Sequence, residues 1–441
     1  MLKSEGARKY LANTSWMFVE KVVRLAVVMV TTIFTTRYLG DQLFGQLSYA
    51  SGYVGLFFAL TSMGLDEIVV RDLVRKPERR DEILGTAAML KFYGALLLVL
   101  LTTGFGFLKG MDSDTLMLVA IIAVAELLKP FVVIEYWFQA RVQARSSSIV
   151  LIVQALISAG YKFLLIGINA PLSWFAWSYV VEMLVISVGY VIAYERSGAT
   201  WRAWKYNKDL LKELLHQSWP LIVFGVALYV QAKIDQVMIG DLLAADPTIG
   251  KAGAFAAVGQ YSVALKMIEA LGFLAVIVQK SLSPAIARAK IESRAKYEDR
   301  LLNQYRLMFL MFICTAVPLF LFAEPVIVFF FGIAFQPAGV LLSLFSIRLL
   351  FTNMGMGKVS FITNESLFKY SLITAVVGAA LNIGINYLLI PTMGPVGSIW
   401  ASVISFTVSI FLMDLLFKDT RANFGWMMKA MFSFWKFHRA T

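Results

Sequence analysis

Long runs of apolar residues alternate with short polar segments along the whole chain. Each run has about the 20 residues that an α-helix needs to cross a bilayer. The runs are continuous and lack the period of two that marks barrel strands, so they predict membrane helices. The twelve predicted spans are 14–37, 43–66, 83–108, 115–138, 148–168, 172–194, 218–241, 253–280, 303–323, 338–357, 368–391 and 395–417.

Composition supports a multi-pass membrane protein and argues against a metal centre. The 441 residues are 59% hydrophobic and 15% charged, whereas a soluble domain is about 45–50% apolar and ~25% charged. The chain has one cysteine, Cys314, and two histidines. These few residues can form neither a disulfide nor a zinc site of ordinary ligands, so we expect no metal and no organic cofactor.

Basic residues of the loops indicate the orientation. They gather on the side that holds both termini, and the opposite side has only Arg37, Lys109 and Lys251. The positive-inside rule therefore places both termini in the cytoplasm. The net charge of +12 is explained by loops at a membrane surface, where anionic lipids are the nearest partners. We expect no nucleic-acid partner.

The second half of the sequence repeats features of the first. Residues 160–166 align with 384–390, and Pro171 aligns with Pro395 at the same shift. Such a repeat predicts two six-helix lobes related by a parallel pseudo-two-fold axis, with the substrate between them. The predicted domains are an N-terminal lobe 1–195, a cytoplasmic linker 196–217, a C-terminal lobe 218–418 and an amphipathic cytoplasmic tail 419–441.

Motifs of catalysis and nucleotide binding are missing from the sequence. It contains no nucleotide-binding loop, no HExxH motif and no Gly-x-Ser-x-Gly elbow. We therefore expect a transporter and not an enzyme. Its energy source would be an ion gradient, of H⁺ or Na⁺, or the gradient of the substrate itself.

Charged residues lie deep inside several predicted spans, where each costs at least ~2.5 kcal/mol. They must pair or face a wet cavity. The basic ones are Arg24, Lys129, Lys162, Lys233, Lys266 and Arg348, and the acidic ones are Glu20, Glu126, Glu182, Asp235 and Glu269. The pairs with ion-pair spacing on one helix face are Glu20–Arg24, Glu126–Lys129 and Lys266–Glu269. Arg348 has no acidic residue near it on its own helix.

Short motifs spread over nearly the whole chain resemble one family. They are residues 13–16, 37–40, 135–140, 218–221, 233–240 and 394–397. In these motifs the sequence is similar to polysaccharide repeat-unit flippases of the Wzx type, which belong to the multidrug/oligosaccharidyl-lipid/polysaccharide exporter (MOP) superfamily. The resemblance implies a V-shaped pair of lobes in the bacterial inner membrane. It also implies an undecaprenyl-pyrophosphate-linked oligosaccharide as substrate, of O-antigen (lipopolysaccharide) or capsule type.

The expected cargo assigns roles to the deep polar residues. Arginine and lysine bind pyrophosphate oxygens, and the candidates are Arg348, Arg24, Lys129, Lys233 and Lys266. Aromatic and amide side chains suit sugars, and the candidates are Trp137, Gln139, Tyr229, Gln231, Asn353, Asn382 and Asn386. A buried carboxylate can take up H⁺ or Na⁺, and the candidates are Asp235, Glu126 and Glu269.

Two other functions remain open at this stage. One is an ion-coupled antiporter for drugs or organic cations on the same fold. The other is a non-transporting subunit of a polysaccharide assembly complex, whose deep charges would be mostly paired. For a flippase, the expected protein partners are a polysaccharide polymerase and a chain-length regulator.

Overall fold

The first half of the chain folds into helices joined by short loops. The structure, a computed structural model, describes residues 5–437 and the side chains from Asn13 onward, and this range contains no strand. The helices of this half are α1 (Glu5–Gly55), α2 (Phe58–Ser62), α3 (Asp66–Arg75), α4 (Arg80–Leu108), α5 (Ser113–Ala125), α6 (Val133–Ala140), α7 (Ala144–Gly167), α8 (Leu172–Arg196) and α9 (Lys208–Ala244). A 3₁₀ segment, Glu126–Val132, joins α5 to α6 and contains Pro130.

The second half is helical in the same way. Its helices are α10 (Gly250–Glu292), α11 (Arg294–Phe331), α12 (Gln336–Phe345), α13 (Arg348–Glu365), α14 (Phe368–Met393), α15 (Pro395–Phe406), α16 (Met413–Leu416) and α17 (Arg421–Met431). A π-helix, Thr407–Leu412, joins α15 to α16. The prediction of an all-helical membrane protein is therefore confirmed.

The later predicted spans coincide with observed helices. In the described residues, nine helices are long and apolar enough to cross a membrane, and the bent pair α12–α13 makes ten. These match the third to twelfth predicted spans. The first two predicted spans fall on α1 and α2. Gly40 divides α1 with a φ of +71°, a conformation that glycine adopts without steric cost.

The chain forms two compact units, and the division falls inside α9. One unit ends at Lys233 and the other begins at Ile234. The first half of α9 packs within the first unit, where Tyr229 contacts Phe58 edge to face at 5.8 Å. Residues 208–217 of the predicted linker are helical, because α9 begins at Lys208. The predicted domain boundaries themselves stay a prediction.

An ion pair that the sequence did not suggest lies inside the second unit. Lys358 Nζ is 2.8 Å from Asp414 Oδ1, and both side chains are buried. Lys358 also donates to the carbonyl of Ile410, inside the π-helix. Asp414 accepts hydrogen bonds from Tyr370 and Asn423. A π-helix displaces carbonyls from their usual partners, and Lys358 satisfies one of them.

The predicted tail packs against α11 in the second unit. Asn423, Met427 and Ala430 lie on one face of α17 and are buried. Asn423 accepts a hydrogen bond from Tyr305 on α11 at 2.6 Å, and Arg306 donates to Ser433. Protein therefore covers the inner face of α17, whereas a helix on the membrane surface would bury that face in lipid. The amphipathic pattern of the sequence does not distinguish a helix that packs on protein from one that lies on the membrane surface.

The buried pair gives a stability prediction. Lys358→Met should leave the Asp414 carboxylate without a cation, at a cost of about 3–5 kcal/mol, because an uncompensated buried charge is strongly unfavourable. We expect a clearly lower apparent Tm of the purified protein in detergent. Lys358→Met/Asp414→Leu should recover much of this loss. Lys296→Met, in an exposed pair with Glu292, is the control and should leave Tm unchanged. A double variant no more stable than the single one would contradict this account.

Candidate functional site

A buried carboxylate in the second unit is surrounded by neutral donors. Asp235 lies on α9 and is almost completely buried. It accepts hydrogen bonds from the Tyr261 hydroxyl at 2.6 Å, the Asn386 amide at 2.7 Å and the Ser402 hydroxyl at 2.9 Å. No cationic side chain of residues 13–437 lies within ion-pair distance of it. The negative charge is therefore hydrogen-bonded but not neutralised.

Further oxygen atoms lie beside this carboxylate. Asn386 donates to Asn382 Oδ1 at 3.2 Å, and Asn382 donates to Ser402 at 3.4 Å. The Oδ1 of Asn386 is buried and accepts no hydrogen bond. A carboxylate with amide and hydroxyl oxygens is the donor set that hard cations prefer.

Arg348 lies close to this cluster. It begins α13, where the chain bends by 45° between α12 and α13. Its guanidinium is 5.4 Å from the ring centre of Phe406 and 5.8 Å from that of Phe345. Phe345 packs on Tyr261 at 5.0 Å, and Tyr261 donates to Asp235. The second unit thus brings together four predicted residues from three helices: Asp235 of α9, Arg348 of α13, and Asn382 and Asn386 of α14.

Among the side chains that the structure describes, no carboxylate neutralises Arg348. Its side chain is half-buried. Within the described part of the chain, no acidic group lies at ion-pair distance from the guanidinium, which instead makes cation–π contacts with Phe345 and Phe406. Aromatic faces attract a cation but leave its hydrogen-bond donors unused. Arg348 can therefore bind an anion.

A second polar cluster, in the first unit, is internally paired. Lys129 Nζ is 2.6 Å from Glu126 Oε2 and lies 4.6 Å from the ring centre of Phe58. Thr61 donates to the same carboxylate at 2.7 Å. The predicted Glu126–Lys129 pair is confirmed, and it neutralises both charges.

Lys91 and Asp66 join this cluster and were not singled out from the sequence. Lys91 is buried and donates to the carbonyls of Thr61 and Ser62 at the end of α2. Asp66 accepts a hydrogen bond from Tyr136. A signal for Lys91 was available, because no other charged residue lies between positions 83 and 108.

The other predicted cations have varied surroundings. Arg24 pairs with Glu20 at 3.2 Å, as the four-residue spacing predicted. Lys162 of α7 pairs with Glu182 of α8 at 2.8 Å. The stem of Lys233 lies against Gly55. Lys266 is half-buried and Glu269 is exposed on α10, and each interacts with a neighbour.

The remaining residues predicted to contact sugar are scattered. Trp137 is buried against Tyr194, with the Arg141 guanidinium 4.7 Å from its ring centre. Gln139 is exposed and donates to Glu135. Asn353 is buried and donates to the carbonyl of Met308. Gln231 is buried, and its amide nitrogen has no hydrogen-bond acceptor.

Comparison with known proteins identifies one family model and several similar structures. Residues 10–290 match the model of a family described as polysaccharide biosynthesis proteins. The lipid II flippase MurJ in an inward closed conformation is 13% identical, with a TM-score of 0.71 over 96% of this chain and 92% of that chain. No curated protein matches the sequence.

Two further structures share the fold. An inward-facing multidrug resistance MATE family transporter of the MOP superfamily is 15% identical, with a TM-score of 0.63 over 92% of this chain and 99% of that chain. A MOP superfamily transporter from Pyrococcus furiosus, described as having a binding pocket of reverse polarity, is 13% identical. Its TM-score is 0.54, over 97% of this chain and 95% of that chain. The family resemblance that the motifs indicated is confirmed.

The contrast between paired and unpaired cations yields a second prediction. Lys129→Met should lower the apparent Tm, because it leaves the buried Glu126 carboxylate without its cation, at a cost of about 3 kcal/mol. Arg348→Met removes no ion pair and should leave Tm nearly unchanged. Both are measured by thermal unfolding in the same detergent. A large Tm loss in Arg348→Met with none in Lys129→Met would show that the assignments are reversed.

Proposed function

Since the chain belongs to the family of polysaccharide biosynthesis proteins, we propose that it is a flippase for lipid-linked oligosaccharides. Its cargo would be undecaprenyl-pyrophosphate-linked repeat units of O-antigen or capsule type. The protein would move them from the cytoplasmic to the periplasmic leaflet of a bacterial inner membrane by alternating access. Both termini would be cytoplasmic, and a polymerase and a chain-length regulator would act next on the product.

The surroundings of Arg348 are the observation that supports this proposal. A pyrophosphate headgroup is anionic and rich in acceptor oxygens, and a guanidinium binds such oxygens with paired N–H donors. Arg348 lies in a membrane span, and no carboxylate of the described side chains pairs with it, so its donors are available to the cargo. Lys129 and Arg24, by contrast, pair with Glu126 and Glu20. They are weaker candidates because a headgroup would have to compete with a carboxylate.

Asp235 is the proposed site of ion coupling. Its carboxylate is buried, and its hydrogen-bond donors among the described residues are neutral, so binding of Na⁺ or H⁺ would remove an uncompensated charge. Asn382 and Asn386 support this role more than sugar binding, because their amides are part of the Asp235 cluster. Glu126 is a weaker candidate, since Lys129 already neutralises it.

Antiport of drugs or organic cations is the alternative, and the shared fold with MATE transporters favours it. A cation-binding site should expose carboxylates to the cargo. In the described residues, Glu126 is paired with a cation and the oxygens of Asp235 already accept hydrogen bonds from neutral donors, so neither carboxylate is open to a cationic cargo, whereas Arg348 has only aromatic rings against its guanidinium. The family match and this polarity both favour an anionic cargo.

The proposed cargo can be tested with Arg348→Gln. In proteoliposomes containing an undecaprenyl-pyrophosphate-linked oligosaccharide, the wild type should expose the sugar to an impermeant glycosidase on the far side. Arg348→Gln should slow this exposure at least tenfold, because a lost charge-assisted contact in a site of low dielectric costs about 1.5–3 kcal/mol. Arg348→Lys should retain part of the rate.

Controls separate this loss from misfolding and from the alternative function. Arg294→Gln, in an exposed ion pair with Glu298, should transport like the wild type. Each variant is checked for an unchanged Tm. Export of ethidium by the wild type, with no movement of the lipid-linked sugar, would favour the antiporter and count against the flippase.

The ion-coupling proposal has its own measurement. In detergent at constant pH, replacing choline chloride by sodium chloride should raise the Tm of the wild type, because a ligand that binds only the folded state stabilises it. Asp235→Asn should abolish this rise. Asp246→Asn is the matched control, because hydrogen bonds from Thr248 hold the pKa of that loop carboxylate below its usual range. A Tm that responds to pH and not to sodium would assign a proton. A Tm that responds to neither would remove Asp235 as the coupling site.

A further inference from the structure

A long groove runs along the surface of the first unit, on helices α7 and α8. It has a volume of about 1080 Å³, which exceeds the ~300–1,000 Å³ typical of small-molecule pockets. Its walls are two rows of exposed apolar side chains with four-residue spacing: Ile149, Val153 and Ile157 on α7, and Leu184, Val188 and Ile192 on α8. Side chains at this spacing lie on one face of a helix, so each helix contributes one wall.

Close packing between the two helices forms the floor of this groove. An ideal Cβ on Gly189 would lie 2.8 Å from Val150 Cγ1. The missing side chain at Gly189 lets α8 approach α7 beneath the two rows. The groove is therefore a built feature of a membrane-spanning helix pair, and its apolar walls match the chains of a lipid.

One end of the groove is cationic. Arg145 at the start of α7 and Arg196 at the end of α8 both line it and are exposed. In the described residues, neither guanidinium forms an ion pair. Arg145 lies 5.5 Å from the ring centre of Trp16, and Asn13 caps the first turn of α7 by accepting from the Ala144 N–H. This contact holds α1 against the cationic end.

The geometry points to this groove as a binding site for an anionic glycerophospholipid of the cytoplasmic leaflet. Its phosphate would lie between Arg145 and Arg196, and its acyl chains would follow the apolar rows. The charge pattern of the loops assigns this end to the cytoplasm, where anionic lipids attract basic residues. An aromatic residue at the interface, here Trp16, is a usual neighbour of lipid headgroups.

A resident phospholipid fits the groove better than the transported lipid. Arg145 and Arg196 lie at helix ends, so a headgroup bound there stays at the membrane surface. A transported headgroup has to leave that surface and cross the span. The site is therefore separate from the proposed role of Arg348, and it does not depend on the identity of the cargo.

Native mass spectrometry of the purified full chain can test this inference. The probes are dioleoylphosphatidylglycerol, dioleoylphosphatidylcholine and undecaprenyl phosphate. The wild type should retain phosphatidylglycerol in preference to phosphatidylcholine. Arg145→Gln/Arg196→Gln should weaken phosphatidylglycerol binding about 25-fold, or roughly fivefold for each arginine removed. Arg202→Gln removes a cytoplasmic arginine outside the groove and should have no effect.

A second variant keeps the test decisive if the double arginine variant is unstable. Val153→Trp should fill the groove and displace the lipid, whereas Leu164→Trp on the same helix lies outside it and should not. Equal retention of phosphatidylcholine, or full binding by both groove variants, would overturn the proposal. Preferential binding of undecaprenyl phosphate would also overturn it and would assign the groove to the transported lipid.

Discussion

The cost of leaving a charge uncompensated among hydrocarbon is the constraint on which this structure depends. Buried groups in a membrane protein must find partners within the chain, because lipid supplies none. Glu126 and Asp414 meet this requirement with a cation and additional hydroxyl or amide donors. Asp235 meets it with three neutral donors and, in the part of the chain that the structure describes, no cation. These carboxylates are therefore fixed points around which the neighbouring helices must pack.

The same groups connect helices that are distant in sequence. Asp235 joins α9 to α10, α14 and α15 through Tyr261, Asn386 and Ser402. Asp414 joins the end of the last span to α13 and α14 through Lys358 and Tyr370. Apolar burial cannot hold helices together in lipid, because lipid chains are as apolar as leucine, so packing and polar contacts between helices take over this task. Each cluster thus specifies which helices are neighbours.

Features that depend on residues close together in the sequence could be predicted, and contacts between residues far apart in the sequence could not. Hydropathy identified the spans because the lipid acts on each run of residues separately. Pairs such as Glu126–Lys129 were predictable because they lie three residues apart on one helix. The partners of Asp235 and Lys358 were not predictable, since they come from helices far along the chain and no local spacing encodes them. The sequence showed that Arg348 has no acidic partner on its own helix. The structure shows that no acidic side chain of the other described residues pairs with it either.

Asp235 and Arg348 differ from ion pairs such as Lys358–Asp414, because neither has a partner of opposite charge among the described residues. Asp235 is met by neutral donors and Arg348 by aromatic rings, and Tyr261 and Phe345 lie between them. Neither arrangement neutralises its charge, so each position retains an affinity for an ion of opposite sign. Under the proposed function, a cation bound at Asp235 would cancel the nearby negative charge and strengthen the attraction of Arg348 for an anion. Linkage requires the reverse effect to be equally large. A single electrostatic contact inside one unit would then couple ion binding to binding of the headgroup, without any further structural element.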